Sequence, residues 1–287
     1  VVLLCWRRCF DHTQSTYQSI IQPSIQPTNQ PTNQSTRGGQ EPIVSMLGLE
    51  KSYGKGADRF KAVDNLSLNF YKAEVCAFLG HNGSGKTTTI NMMTGIVRPE
   101  KGDCVVDGAS VLSEKGMAYI RSITGVCMQH NVQYPYLTAR ENLELVARLR
   151  YVDDANSGAA PGSDEALQHQ IDTILDELEL TSKANEQAQH LSGGQQRKLT
   201  VAMALVGDPK LILLDEPTAN LDSSARHAVW RMIAERQRQG RAIVLTTHHS
   251  ACACCETVYT ASCQLTLEYF VVFSRTQWTR LKYSETA

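Results

Sequence analysis

The stretch Gly80-His81-Asn82-Gly83-Ser84-Gly85-Lys86-Thr87 decides how this chain is read. It fits the pattern G-x-x-x-x-G-K-[ST] in full. Several backbone N–H groups must turn inward around a polyphosphate, which needs glycine where a Cβ would clash. The context suits that task. The short apolar run Val75-Cys76-Ala77-Phe78-Leu79 predicts a buried strand before the motif, and residues 86–97 predict a helix after it, stopped ahead of Pro99. The helix N-terminus adds its partial positive charge to the same phosphates. Lys86 is then the residue that reaches the β- and γ-phosphates, and the Thr87 hydroxyl is an Mg²⁺ ligand. Gly80, His81, Asn82, Gly83, Ser84, Gly85 and Thr88 complete the cradle. Such a cradle specifies a nucleoside triphosphate and no more, because kinases, GTPases and motor ATPases share it.

Outward from the cradle, strand-like and helix-like segments alternate over 43–249. Leu167, Ile171, Ile174, Leu175 and Leu178 form a helical stripe behind the capping residues Ser163 and Asp164. Leu211-Ile212-Leu213-Leu214 has no alternation, as expected of a strand buried on both faces. Ala225, Val229, Trp230 and Ile233 mark another helix, which ends near Gly240, and Ala242-Ile243-Val244-Leu245-Thr246-Thr247 a last strand. This order predicts an α/β fold with a mainly parallel sheet.

The strand 211–214 runs into Asp215-Glu216, two carboxylates at the strand end where ligands bind in open α/β sheets. Alone the pair would be a solvated acidic turn. Beside the cradle, Asp215 holds Mg²⁺ through water and Glu216 sits where an attacking water is polarised. Leu191-Ser192-Gly193-Gly194-Gln195 comes before it, read locally as a loop capping a helix that begins near Gln195. Gln196-Arg197-Lys198 and the apolar Leu199, Val201, Ala202, Ala204 and Leu205 follow directly.

That last run resembles the signature sequence and helix of the ABC family, and the resemblance extends over residues 46 to 249. It implies a P-loop NTPase fold of ABC type, with an antiparallel β subdomain and an inserted helical subdomain over about 130–200. It also implies roles residue by residue. Tyr53, in Leu49-Glu50-Lys51-Ser52-Tyr53-Gly54, resembles the aromatic on which adenine stacks; read locally it is a half-buried strand tyrosine. Gln129, after Gly125-Val126-Cys127-Met128, resembles the glutamine that touches Mg²⁺ and the attacking water and senses the membrane partner. Ser192, Gly193, Gly194 and Gln195 correspond to the signature loop, which donates to an ATP held by a second chain. Asp222, in Ala219-Asn220-Leu221-Asp222, resembles the aspartate that crosses the dimer interface; locally it caps the next helix. His248 resembles the switch histidine on the γ-phosphate. The catalytic set is thus Glu216, His248, Gln129 and Lys86, and the metal set Thr87, Gln129 and Asp215.

Leu79-Gly80-His81-Asn82-Gly83, Val126-Cys127-Met128-Gln129-His130-Asn131-Val132, Gln196-Arg197-Lys198-Leu199 and the run 226–230 resemble the A subfamily of ABC transporters, which brings lipids in as the expected cargo. Met128 departs from it, standing where proline is usual. The resemblance implies ATP and Mg²⁺ as ligands, and as partners the transmembrane domains of a transporter and a second cassette forming a nucleotide-sandwich dimer. Tyr134-Pro135-Tyr136-Leu137-Thr138-Ala139-Arg140-Glu141-Asn142-Leu143 resembles the segment that faces the membrane domain. The expected location is the cytosolic face of a membrane.

Composition narrows the alternatives. Twenty-eight Lys and Arg balance 29 Asp and Glu over 287 residues, for a net charge of −1. That balance gives no electrostatic footprint for nucleic acid, so no nucleic-acid partner is expected. No apolar run approaches the roughly 18 residues of a membrane-spanning helix. A soluble ABC ATPase acting on ribosomes or DNA is the alternative function. It fits less well, because the chain carries one cassette and the interval from Gln129 to Leu191 is too short for a long coiled-coil arm. Of the nine cysteines, Cys76, Cys104 and Cys127 fall among apolar residues of the middle, as small core residues would in a reducing compartment.

The ends read differently. Residues 1–42 are a low-complexity leader, with Pro23, Pro27 and Pro31 in a tetrapeptide repeat that favours disorder. Residues 250–287 form an atypical tail without clear periodicity, and an edge of the sheet is expected to lack its usual cover there. Cys252, Cys255 and Cys263 match no zinc-site spacing. A misread gene model explains both ends.

Overall fold

The computed structural model of the chain describes residues 41–80, 83–154, 164–247, 269–274 and 277–282. His81 and Asn82 of the glycine-rich motif, His248, expected as the switch histidine, Ser163, residues 1–40 of the leader and the tail cysteines lie outside the described residues.

Two sheets form the body. One is antiparallel in the order β2-β1-β4-β5, from strands β1 (Val44–Tyr53), β2 (Phe60–Phe70), β4 (Lys101–Val106) and β5 (Ala109–Ser110). The other contains β3 (Val75–Leu79), β6 (Thr124–Cys127), β7 (Leu211–Asp215), β8 (Ala242–Thr247), β9 (Tyr269–Ser274) and β10 (Gln277–Lys282) in the order β10-β9-β3-β8-β7-β6. All its pairings are parallel except β10 with β9. Among the described residues six α-helices complete the fold: α1 (Lys86–Met93), α2 (Glu114–Ile123), α3 (Ala139–Asp154), α4 (Asp164–Glu177), α5 (Gly193–Leu205) and α6 (Ser223–Arg238).

The unbroken apolar strands follow from burial on both faces. Side chains alternate across a strand, so β7 sends Ile212 and Leu214 into one core while Leu211 and Leu213 enter the other. The first core packs against α4, α5 and α6, through Ile171, Leu199, Val229 and Trp230. The second joins the sheet to the antiparallel layer and to α1 and α2, through Phe70, Phe78, Ile90 and Ile120. Cys76, Cys104 and Cys127 are buried in these cores as thiols. Burial pushes the thiols of Cys104 and Cys127 up to about 12 and about 11, which keeps both protonated and unreactive.

Three boundaries differ from expectation. Helix α1 stops at Met93 rather than continuing to 97, because the Thr94 hydroxyl donates back to the carbonyls of Ile90 and Asn91 and Gly95 turns at φ +70°. Helix α5 starts at Gly193, two residues before Gln195. Ser192 and Gln195 form a reciprocal capping box there, and this satisfies the first amides despite two helix-disfavouring glycines. In the tail, β9 pairs in parallel with β3, so the sheet edge expected to be bare is covered. The run Tyr269–Ser274 is apolar but stands without a neighbouring helix pattern, so its place beside β3 is set by pairing and not by a local signal.

Candidate nucleotide site

The cradle is built at the turn from β3 into α1. Gly83 and Gly85 have φ of +80° and +90°, and a Cβ on Gly85 would run into the Ala62 carbonyl of β2. The antiparallel layer thus braces the loop from behind, and glycine is required at that point. Ser84 and Lys86 are almost fully buried, while Thr87 is exposed and Thr88 half-buried. The Lys86 Nζ donates to the Gly80 carbonyl at 2.5 Å and to the Ser84 hydroxyl at 3.4 Å. Burial pushes the Lys86 ammonium below its ordinary value, against the opposing pull of the Asp215 carboxylate. A cation buried at such cost at a strand–helix turn fits an anionic ligand.

Across the sheet, the Thr87 hydroxyl donates to the Asp215 carboxylate at 3.2 Å. Two hard oxygen donors from α1 and β7 therefore meet at the cradle's mouth, which is the donor chemistry Mg²⁺ takes. The Asp215 carboxylate also accepts from the Thr246 hydroxyl of β8. The same hydroxyl accepts from the Glu216 N–H at 3.1 Å. Glu216 itself has φ +51°, a left-handed conformation that re-aims the chain as it leaves β7.

Gln129 follows β6, which pairs with β7 so that Cys127 lies beside Leu214. It therefore emerges at the same end of the sheet as Asp215 and Glu216, with its side chain exposed. Tyr53 closes β1 opposite Phe60 of β2, their ring centroids 6.1 Å apart, and Lys51 Nζ lies 5.8 Å from the tyrosine ring. Phe60 is two residues along β2 from Ala62, so this half-exposed aromatic corner flanks the cradle.

The signature residues are placed differently. Ser192 and Gln195 hydrogen-bond each other, and among the described residues the bonds of 192–195 stay within this segment and its own helix. Asp222 caps α6 by accepting from the Ala225 N–H at 2.8 Å. The structure thus brings together Gly80, Ser84, Gly85, Lys86, Thr87, Asp215 and Glu216, sets Gln129 at the same end of the sheet, and leaves 192–195 bonded within its own helix with Ser192 and Gly193 exposed. Sequence reading gave no role to Thr246. The available signal was a threonine pair closing an otherwise apolar strand.

A glycine cradle at a strand–helix turn, with a hydroxyl and a carboxylate meeting at its mouth, defines a P-loop nucleotide-binding domain. Residues 63–219 match the family model described as ABC transporter. The chain belongs to the ABC transporter family and carries its ATP-binding cassette. It is 40% identical over 188 residues to human retinal-specific phospholipid-transporting ATPase ABCA4, covering 66% of this chain and 8% of that protein. It is 41% identical over 211 residues to human phospholipid-transporting ATPase ABCA7, covering 74% of this chain and 9% of that protein. The chain therefore spans less than a tenth of these relatives, which lie in the A subfamily that the motifs resemble. Among solved structures, the ATP-binding cassette MJ0796, in a dimeric post-hydrolysis state bound to ADP and Pi, superposes with a TM-score of 0.70 at 26% identity. That match covers 84% of this chain and 98% of the other. Among the described residues no helix is long and apolar enough to cross a membrane.

Proposed function

We propose that this chain binds and hydrolyses ATP, and that ATP-driven dimerisation of two such cassettes drives the transmembrane domains of a transporter, with lipid as the cargo class. The observation that carries the reading is the meeting of Thr87 with Asp215 at the mouth of the cradle, with Glu216 held beside them through Thr246. Residues 43–249 are the ATP-binding domain, with the helical subdomain over about 130–200, between the low-complexity leader 1–42 and the atypical tail 250–287. It works on the cytosolic face of a membrane. The lipid assignment rests on the names of the phospholipid-transporting relatives and on the subfamily phrases.

In this mechanism Tyr53 stacks on adenine, and Lys86 with the amides of 80–87 binds the β- and γ-phosphates. Thr87 and Asp215, with Gln129, would hold Mg²⁺, which when bound neutralises charge on the phosphate oxygens. Glu216 polarises the attacking water, and His248 steadies the γ-phosphate. Ser192, Gly193 and Gly194 donate to the γ-phosphate held by a partner cassette, and Asp222 crosses the dimer interface. A lone copy binds nucleotide yet turns it over slowly, because the signature donors that complete its site come from the partner cassette.

Glu216→Gln tests the reading. It should keep ATP affinity, lower turnover by about 10²–10⁴-fold, the usual contribution of a positioned general base, and accumulate an ATP-bound dimer visible by light scattering. Unchanged turnover would remove Glu216 from the chemistry.

A further inference from the structure

Behind the catalytic loop lies Arg197 of α5, 4% exposed. Its Nη2 donates to the carbonyls of Asp215 and Glu216, each at 2.6 Å. Its Nη1 donates to the carbonyls of Met128 at 2.6 Å and Gln129 at 3.1 Å, and Nε donates to that of Pro217 at 3.3 Å. A guanidinium has five N–H donors in a fixed fork, and here all three nitrogens end on main-chain carbonyls. Among the described residues Arg197 makes no ion pair. The buried charge is balanced by carbonyl dipoles where β6 and β7 run out, so moving the guanidinium strands both the cation and its acceptors.

These carbonyls belong to the loops that bear Gln129 and Glu216. The Glu216 carbonyl reaches the guanidinium from the left-handed conformation at φ +51°, so the bond favours the backbone state that aims the Glu216 side chain. The other end of the lever is the signature segment. Arg197 follows Ser192 by five residues on one capped helix, so the two ends are joined by continuous helical hydrogen bonding. Leu221 touches the same helix at Gly194, where an added Cβ would lie 3.7 Å from its Cδ2.

We infer that Arg197 is a positioning residue that ties this chain's signature segment to its own Gln129 and Glu216 loops, so that engaging a partner's ATP is felt at this chain's own hydrolytic site. The inference rests on the proposed sandwich mechanism. It sharpens that reading by naming the route by which two sites of a dimer influence one another.

The test compares the full chain with Arg197→Lys and Arg197→Gln, neither of which can span both loops. Thermal unfolding checks folding, binding of a fluorescent ATP analogue checks the cradle, and turnover is measured against ATP concentration. Nucleotide affinity should change less than about threefold, while kcat falls at least about tenfold, the loss expected when a hydrogen-bonded charged group loses its buried partners. The proposed sandwich mechanism gives the unaltered chain a sigmoidal dependence on ATP, which should become hyperbolic in the variants. A cycle with Ser192→Ala should be non-additive, the double variant turning over no more slowly than the worse single one. Two folded variants with unchanged kcat and sigmoidicity, or strictly multiplicative losses in the cycle, overturn the inference. Failure of both variants to fold makes Arg197 purely structural and overturns it too. Absence of turnover in the unaltered chain would instead count against the proposed function.

Discussion

The phosphate cradle and the signature segment are both glycine-rich turns into a helix, yet they are finished to different degrees. In the cradle, the neighbouring strands supply what the loop lacks. Ala62 braces Gly85, Lys86 is buried among acceptors, and Asp215 arrives from the far end of the sequence to meet Thr87. At the signature, Ser192 and Gln195 cap one another, and the bonds of the segment stay within its own helix while Ser192 and Gly193 are exposed. The first draws its partners from several elements of one chain. The second, in the proposed mechanism, is half of a site that another copy completes.

Three substitutions would break or sharpen that contrast. Lys86→Ala removes the buried cation from the self-sufficient side. It should weaken ATP binding by about 100-fold or more, on the order of 3 kcal/mol for a buried charged hydrogen-bond partner, as measured by isothermal titration. Intact binding would contradict the cradle assignment. Thr246→Val keeps the side chain's shape but leaves the Glu216 N–H and the Asp215 carboxylate without a shared partner. The cost of about 1–3 kcal/mol for such an unsatisfied group should appear as a loss of roughly tenfold or more in kcat, with nucleotide affinity little altered. A change confined to affinity would move Thr246 out of the catalytic loop's support. Ser192→Ala has the smallest effect. Loss of the N-cap should lower stability by about 1 kcal/mol in a denaturant melt, and turnover should suffer only at protein concentrations where dimers form. A turnover defect in dilute monomer would mean that the segment acts on its own chain's nucleotide.

The legibility of the site follows the same division. The cradle and the signature are contiguous strings whose residue types are dictated by local backbone geometry, so both stand out in the sequence. The apolar runs of β3, β7 and β8 were readable because strands buried on both faces tolerate no polar alternation. The stripe of α4 and the Asp222 cap were readable because helix periodicity and capping are short-range rules. Helix ends were less so. Thr94 and Gly95 end α1 by bonds back to their own helix, whereas an apolar pattern alone runs on to Val97.

The sequence by itself therefore determined the chemistry on offer: a triphosphate cradle, a pair of strand-end carboxylates, a glycine-rich signature turn and an α/β core to carry them. Tertiary structure alone decided which of these meet. It joined Thr87 to Asp215 across 128 positions, brought Thr246 beneath both Asp215 and Glu216, and laid β9 along the free edge of β3. It also gave Arg197 its place among five main-chain carbonyls. Every residue carries a carbonyl of the same kind, so a side chain whose partners are all carbonyls leaves no pairing pattern in the sequence. Its partners exist only once the strands have ended beside it.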